Sequence, residues 1–88
     1  MNKFYELAFK HLDEEIDDAC EYLRESDEAA EEGKDYLAHG LRKVALDEYT
    51  HAEFLRNYLM TKEHYHHYEK HDELEEHWHK LRKKLHLE

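Results

Sequence analysis

Two residues with side chains that can bind metal, Glu48 and His51, are separated by two residues within the segment LDEYTHAEFL at positions 46–55. On a helix, a Glu-x-x-His pair places a carboxylate and an imidazole on one face, where both could bind the same ion. Such a pair also arises easily by chance, because 41% of the residues are charged and ten of the 88 are histidine. Its meaning therefore depends on the residues around it.

The residues that surround this pair with helical spacing are apolar: Leu41, Val44, Ala52 and Leu55. This periodicity predicts that the face carrying Glu48 and His51 looks into the core of the protein. A carboxylate that is buried without a partner is strongly unfavourable, so it is normally paired, protonated or bound to a metal ion. The sequence therefore predicts that Glu48 has a partner elsewhere in the chain.

Glu15 is a second carboxylate with an inward position, because it lies between Ala8, Leu12, Ala19 and Tyr22. Other acids of the same segment recur on an outer stripe: Glu14, Asp18, Glu21, Glu25, Glu28 and Glu32. At a rise of about 1.5 Å per residue, Glu15 lies about 27 Å before Gly33 and Glu48 about 22 Å after it. If the chain reverses at Gly33, Glu15, Glu48 and His51 meet at a similar depth. They form either a metal-ligand set or a buried hydrogen-bonded network in a plain helical dimer.

The composition predicts an all-α fold, because the chain has no proline, two glycines and little alternation of β-branched residues. Apolar spacing predicts a first helix over residues 4–32, with Asn2 as its cap and Gly33 as its end. A second helix begins near Asp35 and runs to about residue 59. The short connection between them predicts an antiparallel hairpin, a half-bundle spanning residues 1–61.

The C-terminal segment, residues 62–88, is rich in histidine and belongs to the same single domain. We place a break near Thr61 and expect a third helix from about residue 63 to residue 86. One stripe of that helix follows coiled-coil spacing: His64, His67, His71, Leu74, Trp78, Leu81 and Leu85. The stripe is a partner-facing surface with a polar first half, a weak transition-metal site or a pH-sensitive contact.

The charge of the chain bears on its partners. The formal net charge is −10, and residues 13–32 hold eleven acids and one base, Arg24. This balance disfavours nucleic acid and anionic membranes as partners and favours cations. One cysteine, no signal peptide and no long apolar run predict a cytoplasmic location.

One Glu from a first helix and Glu-x-x-His from a second make half of the di-iron carboxylate site of four-helix bundles. Because the chain has one copy of each, a full site requires two chains, paired about a two-fold axis with the metal ions at their interface. Oxygen-rich ligation with one imidazole per metal favours iron, with manganese as the alternative, over a closed structural zinc site.

The pattern of Glu15, Gly33 and Glu48-Tyr-Thr-His51 resembles one half of a rubrerythrin or bacterioferritin bundle, in the ferritin-like superfamily, over roughly residues 4–60. A half-bundle with a short third helix is also similar to the encapsulated ferritins, whose ferroxidase centre forms between two subunits. The resemblance implies that Glu15 and His51 are terminal ligands and that Glu48 bridges two irons. It further implies oxidation of Fe(II) by O₂ in iron storage or detoxification, in a homodimer or higher homo-oligomer, with an encapsulin nanocompartment as a candidate housing. The alternatives are a non-catalytic oligomer held together by metal and a histidine-rich metal chaperone built on the third helix.

Overall fold

The computed structural model describes residues 3–88, apart from the side chain of His64. It contains three α-helices: α1 (Lys3–Glu31), α2 (Asp35–Met60) and α3 (His71–Lys84). A short 3₁₀ helix, Glu63–His67, lies between α2 and α3. The described residues include no strand, so the prediction of an all-α fold is confirmed. The predicted cap Asn2 lies outside the described residues.

The turn between α1 and α2 is built around Gly33, which adopts a left-handed backbone conformation with φ of 76°. The Lys34 N–H donates to the Ala29 carbonyl at 2.8 Å, and the Gly33 N–H donates to the Ala30 carbonyl at 3.0 Å. This pair of bonds is the Schellman motif, which closes a helix and satisfies its last carbonyl groups. Asp35 is not the cap of α2 but its first residue, where its negative charge complements the helix dipole.

The helices α1 and α2 pack against each other as an antiparallel hairpin, as the sequence predicts. Near the turn, the Ser26 hydroxyl donates to the Ala38 carbonyl at 2.7 Å. Farther from the turn, Glu15 lies beside His51. In both pairs, the two residues lie at similar distances in sequence from Gly33, which is the register expected for two straight helices joined by a tight turn.

The third helix is shorter than the sequence suggests, and the prediction of one helix over residues 63–86 is wrong. Instead, residues 61–70 reverse the chain, so that α3 runs back along α2. Tyr65 explains why the chain turns here: its fully buried ring packs beside Phe9, and its hydroxyl donates to Glu75 at 2.6 Å. A continuous helix would carry Leu74, Trp78 and Leu81 past the end of the hairpin and leave them in water.

Contacts along one face of the hairpin hold α3 in place. Trp78 stacks on Tyr49, with ring centroids 4.9 Å apart. Arg56 of α2 donates two hydrogen bonds to Glu75, at 2.8 and 2.6 Å. One hydrophobic core results, which includes buried residues from all the helices: Tyr5, Ala8, Phe9, Leu12, Ile16, Ala19, Leu23, Ala45, Tyr49, Ala52, Leu59, Tyr65, Leu74, Trp78, Leu81 and Leu85.

The opposite face of the hairpin is not covered by α3. It carries Phe4 and Phe54, which are 70% and 72% exposed, together with half-buried Leu41, Val44 and Leu55. Among residues 3–88, no helix has an apolar stretch long enough to cross a lipid bilayer.

Candidate metal centre

Glu15, Glu48 and His51 come together halfway along the hairpin, on the face that α3 leaves open. Each offers one possible ligand atom, and these three atoms all lie within 4.8 Å of one another. One ion placed among them could therefore contact two carboxylates and one imidazole after small side-chain movements. The structure brings these three residues together, as the sequence predicts.

The carboxylate of Glu15 has an oxygen in an unusual environment. Its Oε2 atom is shielded from solvent and accepts no hydrogen bond from the part of the chain that the structure describes. The imidazole of His51 lies beside this oxygen, with 3.6 Å between Nδ1 and Oε2. Buried carboxylate oxygens normally find a donor or a cation, so this orphaned oxygen fits a site that takes a positive ion.

The surroundings of Glu48 favour the protonated form of its carboxyl group. A side-chain hydrogen bond with Glu15, burial and the negative charge of Glu15 together raise the pKa of Glu48 to about 6. The imidazole of His51 acts in the opposite direction, because its positive charge favours the carboxylate form. Two carboxyls that compete for one proton in this way would both ionise if a metal ion replaced the proton.

The degree of burial differs from the sequence prediction. The side chain of Glu15 is 24% exposed, whereas that of His51 is 59% exposed. Of the apolar residues that the sequence places around the pair, Ala52 is buried in the single chain, together with Ala45 and Tyr49, whereas Leu41, Val44 and Leu55 are half-buried. The reason is that α3 covers the face of α2 with Ala45 and Tyr49, while the face with Glu48 and His51 forms the open side of the hairpin.

Asp18 is a further carboxylate near Glu48. The sequence places it on the outer acidic stripe of the first helix. Burial raises the pKa of Asp18, and the negative charge of Glu48 raises it further. The two residues therefore interact electrostatically across the hairpin. The signal was present in the sequence, since Asp18 lies three residues after Glu15 and shares its helix face. Asp18 is nevertheless exposed, as are the other acids of the predicted outer stripe except half-buried Glu25.

A shallow apolar groove continues from the candidate metal site along the open face. Next to the site it is lined by Glu15, His51, His11, Thr50, Phe54 and Leu55, and farther along by Phe4, Leu7, Ala8 and Tyr58. His11, four residues before Glu15, was also missed by sequence reasoning. Its place one turn away on the same face could have identified it.

The histidine stripe of the C-terminal segment does not form one surface. Leu74, Trp78, Leu81 and Leu85 are buried as its apolar half predicts, but His71 is half-buried and His67 is exposed. The side chain of His64 lies outside the described residues. The break before α3 separates His67 from the helix that begins at His71. The residues with 3,4 spacing therefore do not lie along one helix axis.

Comparisons with known proteins assign the chain to no family, because no protein-family model, curated protein or solved structure matches it. The ferritin-like resemblance therefore stays a prediction.

Proposed function

We propose that this protein binds iron and acts as a ferroxidase, oxidising Fe(II) with O₂ at a di-iron carboxylate site that forms between two subunits. The observation that carries the proposal is the convergence of Glu15, Glu48 and His51, whose possible ligand atoms lie within 4.8 Å of one another. The Oε2 atom of Glu15, which is buried without a hydrogen bond, supports it, since an ion in the site would bind this oxygen directly.

The proposal requires a second chain because one chain supplies too few ligands. Two carboxylates and one imidazole would leave a lone iron mostly coordinated by water, and the exposed imidazole of His51 would lie at the protein surface. If two hairpins pair through their open faces, two such sets meet around the axis and make the four-carboxylate, two-histidine arrangement of di-iron bundles.

The open face has the properties of a subunit interface. Phe4 and Phe54 are largely exposed there, and the groove that they line adjoins the metal site. Large exposed aromatic side chains in a contiguous apolar groove favour contact with another protein surface. A second copy of the chain would bury these rings and, at the same time, enclose the polar residues Glu15, Glu48 and His51.

In this proposal Fe(II) is the substrate and supplies the redox chemistry, with each ion losing one electron to O₂. The protein binds and orients the ions. Glu15 and His51 of each chain act as terminal ligands, and Glu48 loses its shared proton and bridges the two ions. The acids of α1, Asp18 among them, add a negative field that raises the local concentration of cations.

The experiment that tests this proposal is O₂ uptake after anaerobic loading with Fe(II). We expect rapid O₂ consumption by the wild-type protein, and loss of both tight Fe(II) binding and O₂ consumption in Glu48→Ala. Glu31→Ala, which removes an exposed carboxylate at the end of α1, is the matched control and should behave as wild type. Tight binding without O₂ consumption would refute the ferroxidase and leave a non-catalytic metal site that holds an oligomer together.

A further inference from the structure

A second group of metal-ligating side chains lies where α3 meets α1, away from the centre described above. Asp13 and Asp17 are exposed and one turn apart on α1, and His77 of α3 is half-buried against them. The Nε2 atom of His77 lies 3.5 Å from Oδ1 of Asp17. One possible ligand atom from each of the three residues lies within 4.8 Å of the other two.

This group is independent of the Glu15 site. Successive residues of an α-helix are rotated by about 100°, so Asp13 and Asp17 each point about 200° around α1 from Glu15. They face the side of the hairpin that α3 covers, whereas Glu15 faces the open side. An ion bound at one site would contact none of the ligands of the other.

The donor atoms of this group favour one class of metal ion. Two aspartates four residues apart on a helix repel each other, and the side chain that approaches them from α3 is an imidazole, whose ring nitrogen can bind a metal ion. A neutral imidazole offers a lone pair rather than a positive charge. With two carboxylates it forms a donor set that suits a divalent transition metal better than Ca²⁺ or Mg²⁺, which prefer oxygen alone.

We propose that Asp13, Asp17 and His77 bind a divalent transition-metal ion of the Zn²⁺, Co²⁺ or Ni²⁺ class, and that this ion clips α3 to α1. On its other side, α3 is already held to α2 by the Arg56–Glu75 pair. The proposed ion would fasten the α1 side. Asp13 and His77 also line an open cleft between the helices, whose other charged residues are Glu6, Lys10, Lys70 and Glu73, so water can complete the coordination.

The test is a calorimetric Zn²⁺ titration in the Glu48→Ala background, where the first site has lost a ligand. We expect one saturable Zn²⁺ site per chain and a rise in Tm on adding Zn²⁺. Adding His77→Ala should weaken binding at least about tenfold and abolish the rise in Tm. The matched control, His39→Ala, removes an exposed imidazole from α2 and should leave both unchanged.

A second variant guards against misfolding. Asp17→Asn keeps the size of an exposed side chain, so we expect its circular dichroism spectrum to match that of the background, with Zn²⁺ binding again weakened. The d–d absorption of bound Co²⁺ should disappear in the same variants. Unchanged Zn²⁺ affinity in His77→Ala, or no saturable binding in the Glu48→Ala background, would overturn the proposal and leave His77 as a partner in an ordinary ion pair with Asp17.

Discussion

The Oε2 atom of Glu15 lies 3.6 Å from the Nδ1 atom of His51, and it accepts no hydrogen bond within the described residues. The carboxyl group of Glu15 also interacts with Glu48, whose pKa is raised to about 6 by a side-chain hydrogen bond with Glu15, by burial and by the charge of Glu15. In the metal-free protein these three side chains are thus only partly satisfied. Side chains that are placed to bind a ligand commonly have such unsatisfied polar atoms when the ligand is absent, at a cost in stability.

The first prediction concerns pH and the stability of the metal-free protein. The pKa of Glu48 in the folded state is above its usual 4.5. Protonated Glu48 therefore contributes its full stabilisation below pH 4.5, and this stabilisation is lost as the pH rises through about 6. Glu48→Gln, which remains uncharged, should therefore be more stable than wild type at pH 7.5, by about 1 kcal/mol after solvent screening. Urea unfolding with a chelator present measures this difference.

At pH 4.5 the same comparison should show little difference, because Glu48 of the wild-type protein is then mostly protonated. Glu31→Gln, at an exposed position, is the control and should change stability little at either pH. A Glu48→Gln variant that is less stable than wild type at pH 7.5 would contradict the proposed competition between the two carboxyls.

The second prediction contrasts the two glycines. Gly33→Ala places a side chain where φ is 76° and should destabilise the protein by about 1 kcal/mol. Gly40 lies inside α2, and a methyl group added there would meet no atom within 4 Å. Gly40→Ala should therefore stabilise the protein by about 0.5–1 kcal/mol through helix propensity. Thermal unfolding of both variants checks the opposite signs, and equal signs would contradict the assignment of the turn.

The third prediction concerns the attachment of α3. Arg56 and Glu75 form a two-bond pair in which each side chain is 20% exposed, and Arg56 also lies 5.3 Å from the centre of the Trp78 ring. Arg56→Ala leaves Glu75 without its cation and should cost about 2–3 kcal/mol. Arg24 pairs with Glu28 at 2.7 Å, but its side chain is 60% exposed. Arg24→Ala should therefore cost less than about 0.5 kcal/mol. Similar losses in urea unfolding would show that α3 is not held by this pair.

Much of the hairpin could be predicted from sequence because its determinants are local. Gly33 ends α1, and the spacing of Glu15, Glu48 and His51 from that turn places them together without any tertiary information. The position of α3 was different. The 3,4 spacing of residues 64–85 is compatible with a continuous helix, and only the burial of Tyr65 and its bond to Glu75 explain why the chain turns back first. Which face of α2 becomes the core follows from that docking, so it could not be read from the periodicity of α2 alone.

The fourth prediction addresses the open face. Phe54 is 72% exposed beside the candidate metal site, so Phe54→Glu should leave the fold intact. The variant should not self-associate in the presence of Fe(II), because a charge would have to be buried at the interface. Leu87→Glu changes an apolar residue that is 44% exposed near the C-terminal end and is the matched control. Sedimentation velocity measures both variants, and association of Phe54→Glu at the wild-type concentration would place the interface elsewhere.

The central claim is that two chains share one metal centre, and an anaerobic Fe(II) titration followed by sedimentation equilibrium at each point tests it most directly. We predict that tight binding saturates at about one iron per chain and that the bound iron is found in a dimer or larger assembly, because each chain supplies half of the ligands. Both results should be lost in Glu48→Ala. Tight binding of iron by a monomer, or binding that the Glu48→Ala variant retains in full, would contradict the account.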